Sequence, residues 1–167
     1  MVAHFHFTLF SAVIFGGFAG LYFWYPKMFG RMLNEPLGKI HFWFTLLGFN
    51  FVFVPMFVVG LGGQMRRIYD PTQYDFLKPH QPMNEFITIA AIILFLGQIP
   101  FIVNFFWSMF KGKLAGNNPW QANTLEWAAP SPPPHGNFET LPEVYHGPYV
   151  YSAPHMQDDW APQNLPA

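Results

Sequence analysis

The sequence predicts an all-α membrane protein: three transmembrane helices followed by an irregular, proline-rich tail. Three observations predict it. Only 10% of the 167 residues are charged, while 51% are hydrophobic and 20% aromatic; an ordinary soluble domain carries about 25% charged residues. The apolar residues gather in three blocks before Lys111, each long enough for the roughly 20 helical residues that cross a hydrocarbon layer about 30 Å thick. The remainder is rich in Pro, Asn and Gly and has no Lys or Arg after Lys113. Residues 1–113 are therefore expected to be the transmembrane part. Residues 114–167 are expected to form an extramembrane coil that frays toward Ala167. A soluble core is a poor alternative, because its long helices would need amphipathic neighbours to cover them, and none stand in the sequence.

The first span is expected over about residues 2–25. It closes on YFWYPK, an aromatic belt followed by Pro26, expected to end the helix, and Lys27. Gly16, Gly17 and Gly20 would let a neighbouring backbone come close. The second span is expected over about 40–61 and the third over about 85–110. Asn50, Gln98 and Asn104 fall at membrane depth and should face protein or a wet cavity. Pro55 and Pro100 should kink their helices. So many inward-facing features imply a larger bundle. The chain starts inside an apolar helix, without a basic leader or a small-residue cleavage site, so Met1 is expected to be a gene-fragment boundary.

Three spans put Lys27, Arg31, Lys39, Lys111 and Lys113 on one side, which the positive-inside tendency makes cytoplasmic or matrix. Arg66, Arg67 and Lys78 fall on the other side, offset by Asp70 and Asp75, so the arginine pair needs its own explanation. A net charge of −1 offers no basic footprint for nucleic acid. Cysteine is absent, which excludes disulfides, thiolate zinc sites, iron–sulfur clusters and covalent haem attachment. A metal bound here must use His, carboxylate or Met.

The first span opens VAHFHF. Residues i and i+2 of an α-helix differ by about 200°, so His4 and His6 point to nearly opposite sides and cannot chelate one ion, which needs i and i+3 or i+4. As ligands they would serve two centres about 15 Å apart, a helix diameter of about 10–12 Å plus two metal–nitrogen bonds of about 2 Å. Flat cofactors at that distance would nearly touch at their edges, which suits electron transfer between two haems. The alternative is a pair of interfacial histidines reaching the headgroups. Arg66 and Arg67, in MRRIYD, fall on the same membrane side as these histidines. Guanidinium forks match carboxylates such as haem propionates, although a plain interfacial basic pair also fits.

Four segments together resemble subunit I of the haem–copper respiratory oxidases, over nearly the whole chain to about residue 145. VAHFHF resembles its helix-ten motif, and GRMLNEPLGKIHFWFTLLGFN the loop into helix eleven. GLGGQMRRIYD resembles the arginine pair after helix eleven, and NTLEWAAPSPPPHGNF the tail after helix twelve. The resemblance implies a C-terminal part, helices ten to twelve of a twelve-helix bundle. By it, His4 is the proximal ligand of a high-spin haem at the oxygen-reducing site, and His6 an axial ligand of a low-spin haem. Phe5 stands between the two haems, both of the a type, and Arg66 and Arg67 hold their propionates.

Copper, in the family, is held by histidines on earlier helices. The partners implied are those N-terminal helices, subunits II and III, membrane lipid, and cytochrome c or a related donor. The location implied is a bacterial inner membrane. The activity implied is reduction of oxygen to water coupled to proton translocation, with this chain alone inactive. PMFVVG and GQMRR depart from the family's frequent PQHFLG and GMPRR, and loop 68–84 is unusual. Two alternatives stand beside this reading: a non-catalytic membrane-anchoring or assembly protein, and a quinol-oxidising or nitric-oxide-reducing relative. His41 is expected to pack without a ligand role, and His80, His135, His146 and His155 to lie on the surface.

Overall fold

The structure, a computed structural model, describes residues 1–152 and 158–166. It is all-α: among the described residues there are no strands, only two isolated antiparallel bridges. Helix α1 covers Val2–Leu9 and passes through a π-helical stretch, Phe10–Phe15, into α2, Gly16–Phe29. Helix α3 covers Glu35–Leu61, and a loop with short 3₁₀ turns leads to α4, Gln81–Leu96, and α5, Ile99–Lys111. One further turn, α6, covers Leu125–Ala128. Three helical stretches, Val2–Phe29, Glu35–Leu61 and Asp75–Lys111, are long and apolar enough to cross a membrane.

The ends and interruptions of these stretches follow from local bonds and differ from those read from hydropathy. Pro26 does not end the first helix, which runs on to Phe29. Proline removes a single intrahelical bond, and its φ is already helical. Termination falls to Gly30 at φ +66°, whose N–H donates to the Pro26 carbonyl at 2.8 Å. The second helix starts at Glu35, earlier than its apolar block. There Glu35 faces the positive helix end and meets Lys39 one turn on at 2.7 Å. The third span is broken at Gly97–Gln98, just ahead of Pro100, whereas Pro55 lies within the unbroken α3.

The chain divides into two compact units, each discontinuous in sequence. The first comprises Met1–Ala19 and Glu35–Phe106. Its core is Phe49, Val52 and Phe53 of α3 with Ala90 and Leu94 of α4, and Phe7, Phe10 and Phe15 pack on it. Helices α3 and α4 approach closely at Gly48, where an added Cβ would lie 3.0 Å from that of Leu94. Among the described residues, no heavy atom beyond their own helix backbone and chain neighbours lies within 4 Å of such a position at Gly16 or Gly17.

Polar groups at depth are satisfied inside the protein, as a lipid environment requires. His41 is 2% exposed and donates from Nε2 to Gln98 Oε1 at 3.0 Å, between the rings of Phe18 and Phe101. Gln98 Nε2 donates to Thr45 Oγ1 at 3.2 Å and to the Leu94 carbonyl at 2.9 Å. That second bond engages a carbonyl at the very place where the helix is interrupted. Asn50 turns back to the Leu46 carbonyl, and Asn104 is fully buried.

The second unit comprises Gly20–Asn34 and Trp107–Ala167. Gly30–Met32 pairs with residues 113–115 through Met32 N–H to the Lys113 carbonyl and Ala115 N–H to the Gly30 carbonyl. Lys27 is buried, donating to the carbonyls of Ala129 at 2.6 Å and Asn117 at 3.0 Å beneath the Trp127 ring. Among its described residues the tail is largely coil outside α6, yet hydrogen bonds hold it. Fully buried Asn123 donates to the Val150 carbonyl and accepts from the Ala161 N–H. Gln163 bonds Leu125 and His146. His146 is half-buried and donates from Nε2 to the Leu165 carbonyl at 3.0 Å. His80 is also half-buried, lying against Gly62, while His135 is exposed. His155 and Ala167 lie outside the described residues.

Candidate functional site

The head of α1 carries both histidines. The segment Val2–Leu9 is α-helical, so the angular separation of about 200° between His4 and His6 holds. Both side chains are exposed. The Nδ1–H of His6 donates to the Val2 carbonyl one turn back at 3.0 Å. A carbonyl only accepts, so this bond fixes the proton on Nδ1 and leaves the lone pair on Nε2. The imidazole of His6 lies nearly parallel to Phe53 of α3, centroids 5.6 Å apart and planes 12° from parallel. The ring of Phe5 meets it edge-on at 5.3 Å. Phe5 itself is 57% exposed.

The C-terminal end of α3 turns the chain back toward this helix head. Gly63 takes φ +95°, and the N–H groups of Gln64 and Gly63 return to the carbonyls of Val59 and Gly60. These are the two crossed bonds that end a helix on a left-handed residue. The turn delivers Arg66 and Arg67 to a cleft of about 740 Å³ whose wall includes Met1, Val2 and Ala3. The arginine pair and the start of the histidine helix thus share one concavity.

Arg66 and Arg67 are exposed, and the ion pairs among the described residues are Glu35–Lys39 and Asp75–Lys78. Asp70, three residues beyond, is engaged elsewhere. Its Oδ1 accepts from the Thr72 hydroxyl at 2.7 Å and the Thr72 N–H at 2.9 Å, and these bonds hold the carboxyl below its usual range. Arg67 adopts φ +62°, a left-handed conformation that costs a non-glycine residue about 1–2 kcal/mol.

Of the five residues singled out from sequence, Arg66 and Arg67 share the cleft wall with Met1, Val2 and Ala3, while His4, Phe5 and His6 follow directly on α1 and do not line that cleft. Sequence reasoning missed Phe53, the Val2 carbonyl, and the pair Asn84 and Gln64, bonded at 3.0 Å in the cleft wall. Two polar amides just outside adjacent spans were the only signal for that pair. For Phe53 the one hint was its i+4 spacing from Phe49. Among the described residues no three His, Asp or Glu side chains come together in a group that could hold a metal ion.

A helical protein with three stretches long and apolar enough to cross a membrane is an integral membrane protein. A family model described as "Cytochrome C and Quinol oxidase polypeptide I" matches residues 1–96, more than half of the chain. The chain belongs to that family. It is 48% identical over 95% of its length to "Cytochrome c oxidase subunit 1" of Thermostichus vulcanus, covering 28% of that protein. It is 45% identical over 99% of its length to "Alternative cytochrome c oxidase subunit 1" of Bradyrhizobium diazoefficiens, covering 29% of it. To the subunit 1 of Alkalihalophilus pseudofirmus it is 41% identical over 86% of its length, covering 23% of it. The chain thus spans roughly a quarter of the length of these relatives.

Proposed function

We propose that the chain supplies the last three membrane helices, ten to twelve, of the catalytic subunit of a haem–copper terminal oxidase in a bacterial inner membrane. Residues 1–113 form the transmembrane part and 114–167 the extramembrane tail. His6 is an axial ligand of the low-spin haem and His4 the proximal ligand of the high-spin haem, both of the a type, with Phe5 between them. Arg66 and Arg67 take the propionates. The bound haems, with copper held by histidines of the N-terminal helices, supply electron transfer and proton-coupled reduction of oxygen to water. The partners are those N-terminal helices, subunits II and III, and cytochrome c as donor. Cytochrome c is favoured over quinol because the relatives named above are cytochrome c oxidase subunits.

The observation that carries this reading is the state of His6. The Val2 carbonyl accepts a hydrogen bond from the Nδ1–H, so Nε2 is left as a lone-pair donor whose basicity that bond raises. This is the form in which imidazole ligates iron. His4 lies on the opposite flank of the same helix and is exposed. Arg66 and Arg67 fit carboxylate partners: both are exposed, line the cleft at the histidine end, and carry forks that bind carboxylate in a bidentate manner. Their charge would orient the propionate edge of a bound haem toward the membrane surface.

His6→Leu in the complete oxidase tests the reading. One haem per enzyme in place of two is expected, together with loss of the low-spin absorption band. An enzyme with both haems and an unchanged spectrum overturns the assignment. His4→Leu is expected to retain the low-spin band and abolish oxygen consumption. Undiminished consumption would return the chain to an anchoring role.

A further inference from the structure

The hydrogen bond from His6 to Val2 holds one edge of the imidazole but leaves the ring free to rock about the Nδ1···O line. Histidine χ2 is intrinsically a broad, soft torsion, so the bond alone does not set the ring plane. Phe53 does. Its ring faces the imidazole with centroids 5.6 Å apart and planes 12° from parallel, within the range of an offset aromatic stack. The edge of Phe5, at 5.3 Å and 85°, bears on the imidazole as well.

The two aromatic neighbours differ in rigidity. Phe5 is 57% exposed, whereas Phe53 is 8% exposed and belongs to the α3–α4 core. In that core it packs on Phe49 at 5.2 Å and on Phe10 at 5.7 Å. Rotation of the exposed His6 ring is thereby referred to a buried ring on another helix.

Resting on the assignment of His6 above, we propose that Phe53 is a positioning residue for the low-spin centre: it fixes the azimuth of the His6 imidazole plane. In a six-coordinate low-spin ferric haem, the anisotropy of the g-tensor follows the orientation of the axial imidazole planes. Haem content and oxygen consumption do not report it. Electron paramagnetic resonance of the complete oxidase therefore reads the proposal directly.

Phe53→Met and Phe53→Leu keep an apolar side chain of similar bulk and remove the ring. Both are expected to retain two haems per enzyme and to shift the largest low-spin g value. Phe53→Tyr, which keeps the ring, is expected to hold the parent signal. Phe49→Met loosens a ring that Phe53 packs on but has no aromatic contact of its own to His6, and is expected to shift that signal less than Phe53→Met does. An unshifted signal in Phe53→Met overturns the proposal while leaving the ligand assignment intact. Equal shifts in Phe53→Met and Phe49→Met also overturn it, because they make the effect one of core packing, as does failure of both Phe53 variants to assemble. If His6→Leu retains the low-spin signal, the ligand assignment itself falls, whatever the Phe53 variants show.

Discussion

Arg67 combines two properties that pull in opposite directions. Its backbone sits at φ +62°, a cost that persists only where the surroundings over-determine it, and its side chain lines the cleft at the histidine end. Arg67→Gly should therefore relieve the loop by about 1 kcal/mol while removing a positive charge from the proposed propionate site. Lower charge there disfavours the reduced state, so the low-spin midpoint potential is expected to fall in a redox titration even as the protein becomes more stable to heat. A potential equal to the parent's would separate Arg67 from the haem.

Asp70 makes a simpler test of the same loop. The two Thr72 bonds depress its pKa, so they favour the folded turn above the ordinary carboxylate value of 3.8. That contribution is lost as pH falls through the lower, folded-state value. Amide exchange at Thr72 should accelerate only in that acid window, and in Asp70→Ala it should already be fast at neutral pH.

At the scale of elements, the third helical stretch shows what a sequence conveys and what it withholds. Its apolar length is unmistakable, since one solvent demands one pattern. The proline rule gave different outcomes at three places: Pro26 lies within α2, Pro55 within α3, and Pro100 follows a break at Gly97–Gln98. The difference lies in tertiary bonds. Gln98 engages the Leu94 carbonyl and reaches His41 and Thr45 on α3, so the interruption is supported by another helix that no local pattern announces. Glycine shows the same limit. Among the described residues, an added Cβ would meet nothing within 4 Å at the conspicuous Gly16–Gly17 pair, while at the unremarked Gly48 it would lie 3.0 Å from that of Leu94 on α4. Gly48→Val should overpack that contact at a cost of about 1–3 kcal/mol. Leu94→Ala added to it should recover part of the loss, as read by thermal unfolding of the purified enzyme in detergent.

At the scale of the molecule, hydropathy exposes the membrane part and conceals how the tail is held. The four segments that carried the family resemblance were legible because each is a short run of specific residues. The order among the described residues of the tail comes from side-chain-to-backbone bonds spanning tens of residues, which leave no period and no composition signal. Asn123 is the centre of that order. It is fully buried, its Nδ2 donates to the Val150 carbonyl at 2.8 Å, and its Oδ1 accepts from the Ala161 N–H at 2.9 Å. Its own carbonyl takes the Gln163 N–H at 2.9 Å. Asn123→Asp keeps the acceptor for Ala161 but turns the donor into a second oxygen facing the Val150 carbonyl. A buried donor lost opposite a carbonyl costs about 1–3 kcal/mol, and a buried carboxylate costs more. Asn123→Ala removes both partners and leaves a void. Limited proteolysis of the detergent-solubilised enzyme should therefore cut 139–152 faster in both variants, and most in Asn123→Asp at pH well above the carboxylate range. As that carboxyl protonates on acidification, it regains an O–H donor for Val150, so protection should return in Asn123→Asp and not in Asn123→Ala. If the two variants show the same pH dependence, the Val150 bond does not hold the tail.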